Sequence, residues 1–585
     1  MTPAPALIHR NALRARLVAA VIHRNAPRAR LVAALLALLC VLLAADLPAA
    51  HADSYTKISG AGSTWSSNAL DQWRRNVTQY GMTVNYAAVG SSVGREQFKN
   101  GVSDFGVSEI PYGLTEFGVK DAPPKRGYAY MPIVAGGTSF MYNLKIGGKR
   151  VTNLRLSGAV LTKIFTGKIT MWNAPEVAAD NPGLTLPARR VIPVVRSDGS
   201  GTTAQFSTWM AKEQSGLWND YCRRAGKPTP CGLTSYYPVV PGSGFTAQSG
   251  SLGVSGYVRQ PQAEGAITYV EYSYAIKTGF PVAKLLNSSG YYVEPTASSV
   301  AVGLMSARIN DDKNSTDYLT QILDNVYRSG DRRAYPLSSY SYMIVPTSNE
   351  APFTEDKGRT LGAFAYYFLC EGQQQADQLG YSPLPINLVQ AGLSQVRRIP
   401  GVEAKNVDIK GCRNPTFSAD GSNTLARNAP YPQPCDKRGT TQCSTGTAGA
   451  KDQRTPVKAG ANGGGSSGGT SGTAGGGTTA GTSAGTTGGS AAGGTSGGTT
   501  AGATTGTAGA TAIDPDTGEQ LPADSGGGGD TTVAGNPVSL AADGQGALRT
   551  TLMALSALLL LGVVVGPPIA ARALGARADR RGNGA

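Results

Sequence analysis

Histidine is almost missing from this 585-residue chain: there are three, His9, His23 and His51, and all precede residue 53. Beyond that point there is no imidazole, which excludes Ser-His-Asp and Cys-His catalysis and every histidine-ligated metal site. Charge is also sparse, at 16% of residues, and the formal +15 is concentrated at the ends. Residues 1–52 hold six arginines against Asp46 and residues 548–585 hold five against Asp579, so +6 is left on the long middle. That mild basic bias comes without an Arg/Lys stripe interleaved with aromatics, and no nucleic-acid partner is expected. From Gly463 to Ala512 charge and large side chains vanish and only Gly, Thr, Ser and Ala occur. Such a stretch buries too little apolar surface to offset its ordering entropy, so residues 448–547 are expected to form a disordered linker.

What is present sorts the chain into segments. The arginines of residues 1–52, the apolar run Leu31–Ala45 and the small-residue site Ala50-His51-Ala52 make the pattern of a secretory signal peptide. Leu7–Ala20 is nearly repeated at Val21–Ala34, which lengthens the basic region. Near the other end Thr551–Ala571 is a run without charge, and residues 548–571 are expected to form one transmembrane helix. Arg549 precedes this run, whereas Arg572, Arg577, Arg580 and Arg581 follow it. The asymmetry predicts a single-pass protein of the cell membrane with residues 572–585 as a cytoplasmic basic tail and the folded part outside. Cys222, Cys231, Cys370, Cys412, Cys435 and Cys443 lie in that exterior part. An even count there favours disulfides; short spacing suggests Cys222–Cys231 and Cys435–Cys443, leaving Cys370–Cys412, although fifteen connectivities are open on paper.

Residues 53–400 read as α/β. Strand candidates are Val84–Ala88, Tyr128–Val134, Arg190–Val195, Ala266–Val270 and Ser341–Val345, and helix candidates are Ser66–Tyr80, Arg95–Asn100, Val160–Thr166, Thr203–Glu213, Ser315–Tyr327 and Lys357–Gly372. Tryptophans such as Trp73 and Trp172 are expected in the core. Residues 401–447, rich in Pro, Asn and Cys, read as a stapled, loop-like extension.

Three places share one pattern, a strand running into a Gly/Ser/Thr turn that opens a helix: Ser59–Thr64, Gly90–Gly94 and Ser197–Thr202. Helix N-termini present unpaired N–H groups and a positive dipole end, so each turn is a half-cradle for an oxyanion. Taken singly, such a turn is more often ordinary helix capping. The recurrence of the pattern beside Arg196, whose guanidinium offers a planar fork of donors to a tetrahedral anion, favours a binding site; a salt bridge to Asp198 is the plainer role for that arginine.

At this point the sequence resembles the phosphate-binding proteins of phosphate ABC importers, the PstS type. The resemblance spans about Thr56–Val389 and rests on co-linear segments: GAGSTW (60–65), VNYAAVGSS (84–92), DFGVSE (104–109), IFTGKITMWN (164–173), NPGL (181–184), VVRSDGSGTT (194–203), GAITYVEYSYA (265–275) and AYPLSSYSYMIV (334–345). It implies a type II periplasmic-binding-protein fold with two lobes, about 53–135 with 334–400 and about 136–333, joined by crossovers near Gly136-Gly137 and Arg333–Tyr335. It implies phosphate contacts from Thr64, the Trp65 backbone, Ser91, Arg196, Ser200, Gly201 and Thr202, with Asp198 steadying Arg196. It also implies a selectivity carboxylate at Glu109, one methylene longer than the aspartate of the family. Val93, where the family has glycine, and Ser63, where it often has alanine, are further departures. No catalytic residue, metal or cofactor is implied, and the expected partners are inorganic phosphate and a phosphate ABC permease.

Two other purposes fit the residues less well. Gly90-Ser91-Ser92-Val93-Gly94 matches the G-x-S-x-G nucleophile pattern, but a serine hydrolase without histidine lacks its usual base. A surface-displayed sensor, scavenger or adhesin would keep the binding fold without delivering to a permease.

Overall fold

Strands that run into turns, several of which open a helix, build one mixed eight-stranded sheet. The computed structural model, which describes residues 55–458, contains that sheet. Its strands are β1 (Ile58–Gly62), β2 (Val84–Ala87), β3 (Phe105–Ser108), β4 (Tyr128–Tyr142), β5 (Ile192–Arg196), β6 (Thr246–Gln248), β7 (Ala266–Glu271) and β8 (Ser338–Pro346), in the order β6-β5-β7-β4-β8-β3-β1-β2. β1 pairs in parallel with β2 and β3, and β5 in parallel with β6 and β7. Between these parallel groups β4 and β8 run antiparallel to their neighbours.

β4 belongs to both halves of the sheet. Its residues 128–137 pair with β8, whereas residues 138–142 pair with β7. Strand signals alone end it at Val134, but burial on both faces carries it on for eight residues, and the Gly136-Gly137 crossover lies inside a continuous strand. The two glycines are required by neighbours: a Cβ on Gly136 would lie 2.7 Å from the Trp65 ring and one on Gly137 2.5 Å from Pro295.

Helices follow the parallel strands. α1 (Ser67–Val77) comes after β1, α2 (Ser91–Lys99) after β2, α3 (Gly201–Glu213) after β5 and α4 (Gly250–Arg259) after β6. α2 begins at Ser91, four residues earlier than expected, because Gly90, at φ 91°, turns the chain immediately. Gly94 is therefore a helix residue, and a Cβ there would stand 2.1 Å from Gly62 Cα, so α2 lies directly on β1. Trp73 and Trp172 are fully buried, each donating its indole N–H to a backbone carbonyl, Gly372 and Gly265 respectively.

Two expectations are corrected. Residues 315–322 are not helical: Gln321–Ile322 pairs with Arg308–Ile309, and only Asp324–Tyr327 forms a helical turn. The Gln321 amide accepts from Tyr340 N at 2.6 Å and donates to Tyr340 O at 3.0 Å, so docking on the edge of β8 overrides helix propensity. Residues 448–458 are part of the fold, not of the linker. Thr447 Oγ1 donates to Val282 O at 2.6 Å, Thr152 N donates to Thr455 Oγ1 at 2.8 Å, and Lys458 N donates to Gly183 O at 3.0 Å. Backbone groups and small hydroxyls make these bonds, and the segment, with Lys451, Asp452, Arg454 and Lys458, lies before the stretch that lacks charge and large side chains.

The disulfides Cys222–Cys231, Cys370–Cys412 and Cys435–Cys443 are formed. The last two fix the extension, which starts beside the helix Glu355–Leu369 and ends on the other half of the sheet, where Arg155 donates to Cys435 O and Thr440 O at 2.9 and 2.8 Å. Among the described residues no helix is long and apolar enough to cross a membrane; the expected signal peptide, the rest of the linker, the 548–571 helix and the tail lie outside the described residues.

Candidate functional site

In an open α/β sheet, groups beyond the carboxyl ends of parallel strands face one crevice, because helix N-termini and turn amides collect there. Here β1, β2 and β3 end toward Thr64, Ser91 and Glu109, while β5 and β6 end toward Arg196 and Gly250. The two groups come from opposite halves of the sheet and meet.

Thr64 Oγ1 lies 2.7 Å from Ser251 Oγ and accepts from Ser251 N at 3.2 Å. Ser251 Oγ also accepts from Arg196 Nη1 at 3.3 Å. Arg196 is nearly fully buried and forks onto Asp198, with Nε 2.6 Å from Oδ1 and Nη2 on Oδ2. Asp198 Oδ1 accepts in addition from Gly250 N at 2.9 Å. Burial pushes the Asp198 carboxyl up, but the Arg196 guanidinium and these donors outweigh it and hold the group below its ordinary range. The salt bridge and the donor role of Arg196 are thus compatible, since Asp198 fixes the plane of the fork.

A second chain of bonds runs beside the first. Ser91 Oγ donates to Glu109 Oε2 at 2.9 Å and accepts from Gly201 N at 3.1 Å, which ties the start of α2 to the start of α3. Glu109 Oε1 accepts from Ser341 Oγ at 2.8 Å. Burial holds the Glu109 carboxyl above its ordinary value, and hydrogen bonds from the hydroxyls of Ser63, Ser341 and Ser91 offset part of that rise. A Cβ on Gly201 would fall 2.0 Å from Glu109 Oε2, so glycine is the residue that lets α3 approach this carboxylate.

The other expected residues take distinct positions. Trp65 N donates to Ser63 Oγ at 3.0 Å, and its ring packs edge-on to Tyr381 at 5.7 Å, which makes the side chain core. Ser200 is the N-cap of α3, its Oγ accepting from Thr203 N at 3.2 Å. Thr202 Oγ1, two residues further and inside α3, is one of seven buried hydroxyls without a protein partner among the described residues. Sequence reasoning missed Ser251 and Gly250, which open α4 after the edge strand β6, and Ser341, the second donor to Glu109. Ser249-Gly250-Ser251 repeats the strand, small-residue turn, helix pattern and was open to the same argument as the other three turns.

The assembled groups are N–H and O–H donors, one guanidinium and two carboxylates, Asp198 held by Arg196 and Glu109 by hydroxyls, an inventory that suits a small tetrahedral oxyanion that keeps a proton. Ser91, the candidate nucleophile, spends its hydroxyl hydrogen on a carboxylate. Among the described residues no group of three or more His, Cys, Asp or Glu side chains could hold a metal ion.

Comparison with known proteins places the chain in a family. Residues 47–371, more than half of the chain, match the model of the PBP superfamily domain. The phosphate-binding protein PstS of Xylella fastidiosa is 32% identical over 346 residues, which cover 59% of this chain and 85% of that protein. PstS of Haemophilus influenzae is 30% identical over 356 residues, 61% of this chain and 96% of that protein. PstS3 of Mycobacterium bovis is 30% identical over 331 residues, 56% and 82% of the two chains. With the α/β architecture, the paired strand groups and these relatives in hand, the chain belongs to the PBP superfamily and, within it, to the family of the PstS phosphate-binding proteins.

Proposed function

We propose that this chain is an extracytoplasmic solute-binding protein that captures inorganic phosphate between the two halves of its sheet and delivers it to a phosphate ABC permease. The halves act as two lobes, residues 53–135 with 334–400 and residues 136–333, and phosphate seated between them is held by Thr64, Trp65 N, Ser91, Arg196, Ser200, Gly201 and Thr202. The observation that carries this reading is the meeting of polar groups from both halves at the strand ends, Thr64 with Ser251, which also accepts from Arg196, and Ser91 with Gly201. The printed names of the relatives, phosphate-binding protein PstS, support it. A signal peptide at 1–52 and a membrane helix at 548–571, with the basic tail 572–585 in the cytoplasm, would hold the binding domain outside on its linker.

Glu109 serves discrimination. A carboxylate accepts the proton that phosphate retains near neutral pH, whereas sulfate offers none and sets two negative groups against each other. The Glu109 carboxylate lies between Ser91 and Ser341, against Gly201. Calorimetric titration of the full chain with phosphate, arsenate, sulfate and a phosphate monoester tests the assignment. Phosphate and arsenate should bind one to one and sulfate at least about tenfold more weakly; Glu109→Gln should narrow that gap. Tighter binding of sulfate or of the ester than of phosphate would contradict it. Delivery is checked separately, by loss of phosphate uptake on deletion in cells whose permease is intact.

A further inference from the structure

The short hairpin that follows β3, Thr115–Glu116 paired with Val119–Lys120, stands on one half of the sheet and reaches the other. Its two turn residues, Phe117 and Gly118, both have positive φ, 49° and 88°. Such turns are ordinarily filled by Asn-Gly or Asp-Gly, so a phenylalanine in the first place is strained and is kept only where the surroundings hold it. Two contacts hold it here. Glu116 Oε2 accepts from Ser235 N at 2.7 Å, from Ser235 Oγ at 3.0 Å and from Thr234 Oγ1 at 3.3 Å. The Phe117 ring lies 5.0 Å from the Lys227 ammonium.

The segment so gripped is continuous with the site. Thr234 and Ser235 are buried, Ser235 O accepts from Ser200 N at 2.9 Å, and Ser235 Oγ accepts from Ser92 Oγ at 3.1 Å. One carboxylate oxygen therefore bonds the same residue that supports the backbone at the start of α3, while itself standing on the other half of the sheet. Glu116, Thr234 and Ser235 themselves stand outside the set that would touch the anion.

We infer that Glu116 is a positioning residue: a latch that holds the two halves together over bound phosphate by gripping the 234–235 loop, and so sets how fast phosphate leaves. The inference rests on the proposed phosphate-binding function. Its physical basis is that bonds made only when the halves are together lower the energy of that form without contributing to encounter with the anion. Losing them accelerates opening and release, and leaves the association rate alone.

The test uses the full chain and radiolabelled inorganic phosphate. Glu116→Ala should release phosphate at least about tenfold faster, with an association rate within about twofold of the unaltered chain. Its melting temperature without phosphate should be unchanged, and Glu116→Asp should restore part of the slow release. If Glu116→Ala does not fold, Ser235→Ala, which removes one of the three donors and keeps the backbone bond, should release about threefold faster. An unaltered release rate in either variant overturns the latch, as does a matching fall in association rate and melting temperature, which marks a merely structural residue. Failure of the unaltered chain to bind phosphate overturns the functional reading itself and is seen in the control before any variant is compared.

Discussion

Gly201→Ala separates the seam between the halves from the packing within each. A Cβ at this position would stand 2.0 Å from Glu109 Oε2, 2.6 Å from Ser91 Oγ and 3.0 Å from Glu109 Cβ. Ordinary contact between carbon and oxygen needs more than 3 Å, so a shift of over an ångström is demanded where Glu109 and Ser91 are themselves hydrogen-bonded and buried. Overpacking of this kind costs about 1–3 kcal/mol, which converts to roughly 5- to 150-fold in affinity if it acts on the closed form alone. The clash lies between groups from opposite halves, so the chain escapes it by staying open, and the melting temperature without phosphate should hold. Gly94→Ala is the contrast. Its Cβ would stand 2.1 Å from Gly62 Cα and 2.6 Å from Ala61 O, backbone atoms of the same half, and no opening relieves that contact. Gly94→Ala should therefore lower the melting temperature by several degrees. Isothermal titration with phosphate and scanning calorimetry on the two variants give the comparison. Equal phosphate affinity in Gly201→Ala, or an equal loss of melting temperature in both, refutes the reasoning.

Three further outcomes follow from particular groups. Arg196→Ala removes the guanidinium and leaves Asp198 without its main partner, so phosphate affinity should fall at least about tenfold by calorimetry; unchanged affinity would reject the assigned role. Burial holds the Glu271 carboxyl well above its ordinary 4.5. The folded state then keeps a proton that the unfolded state has lost, so the stability this group contributes is whole below that ordinary value and drains away as pH rises through the folded one. Glu271→Gln should widen its melting-temperature advantage over the unaltered chain as pH is raised from 4 to 8, and parallel curves would contradict this. Thr455→Val deletes the hydroxyl that accepts from Thr152 N, and should expose residues 448–458 to proteolysis sooner than in the unaltered chain.

The parts of this molecule that are legible in its sequence are those governed by local rules. Ser67–Val77 is a helix whose Ala69, Leu70, Trp73 and Val77 recur on one buried face, and Gly201–Glu213 is capped by Ser200; of the three expected turns, Ser197–Ser200 lies between strand and helix, whereas Ser59–Gly62 belongs to β1 and Ser91–Gly94 to α2. Ser251 escaped because β6 is only three residues long and emerges from a Pro- and Gly-rich loop, so no hydrophobic run announces the turn behind it. Ser341 sits within a strand and is called to the site only by Glu109, whose longer side chain reaches it. The mistaken helix at 315–327 and the docked 448–458 segment share one cause: partners distant in sequence, Tyr340 for Gln321 and Thr152 for Thr455, decide the local conformation. Glu116 belongs with them, since nothing about a carboxylate in a surface hairpin marks its bond to Ser235.

The most direct measurement is a crystal structure of the protein grown with inorganic phosphate. One phosphate is expected between the two halves of the sheet, with the Thr202 hydroxyl and the Arg196 guanidinium on its oxygens and Glu109 accepting its proton. Phosphate bound elsewhere, or a Thr202 hydroxyl still without a partner beside an ordered anion, would contradict this arrangement.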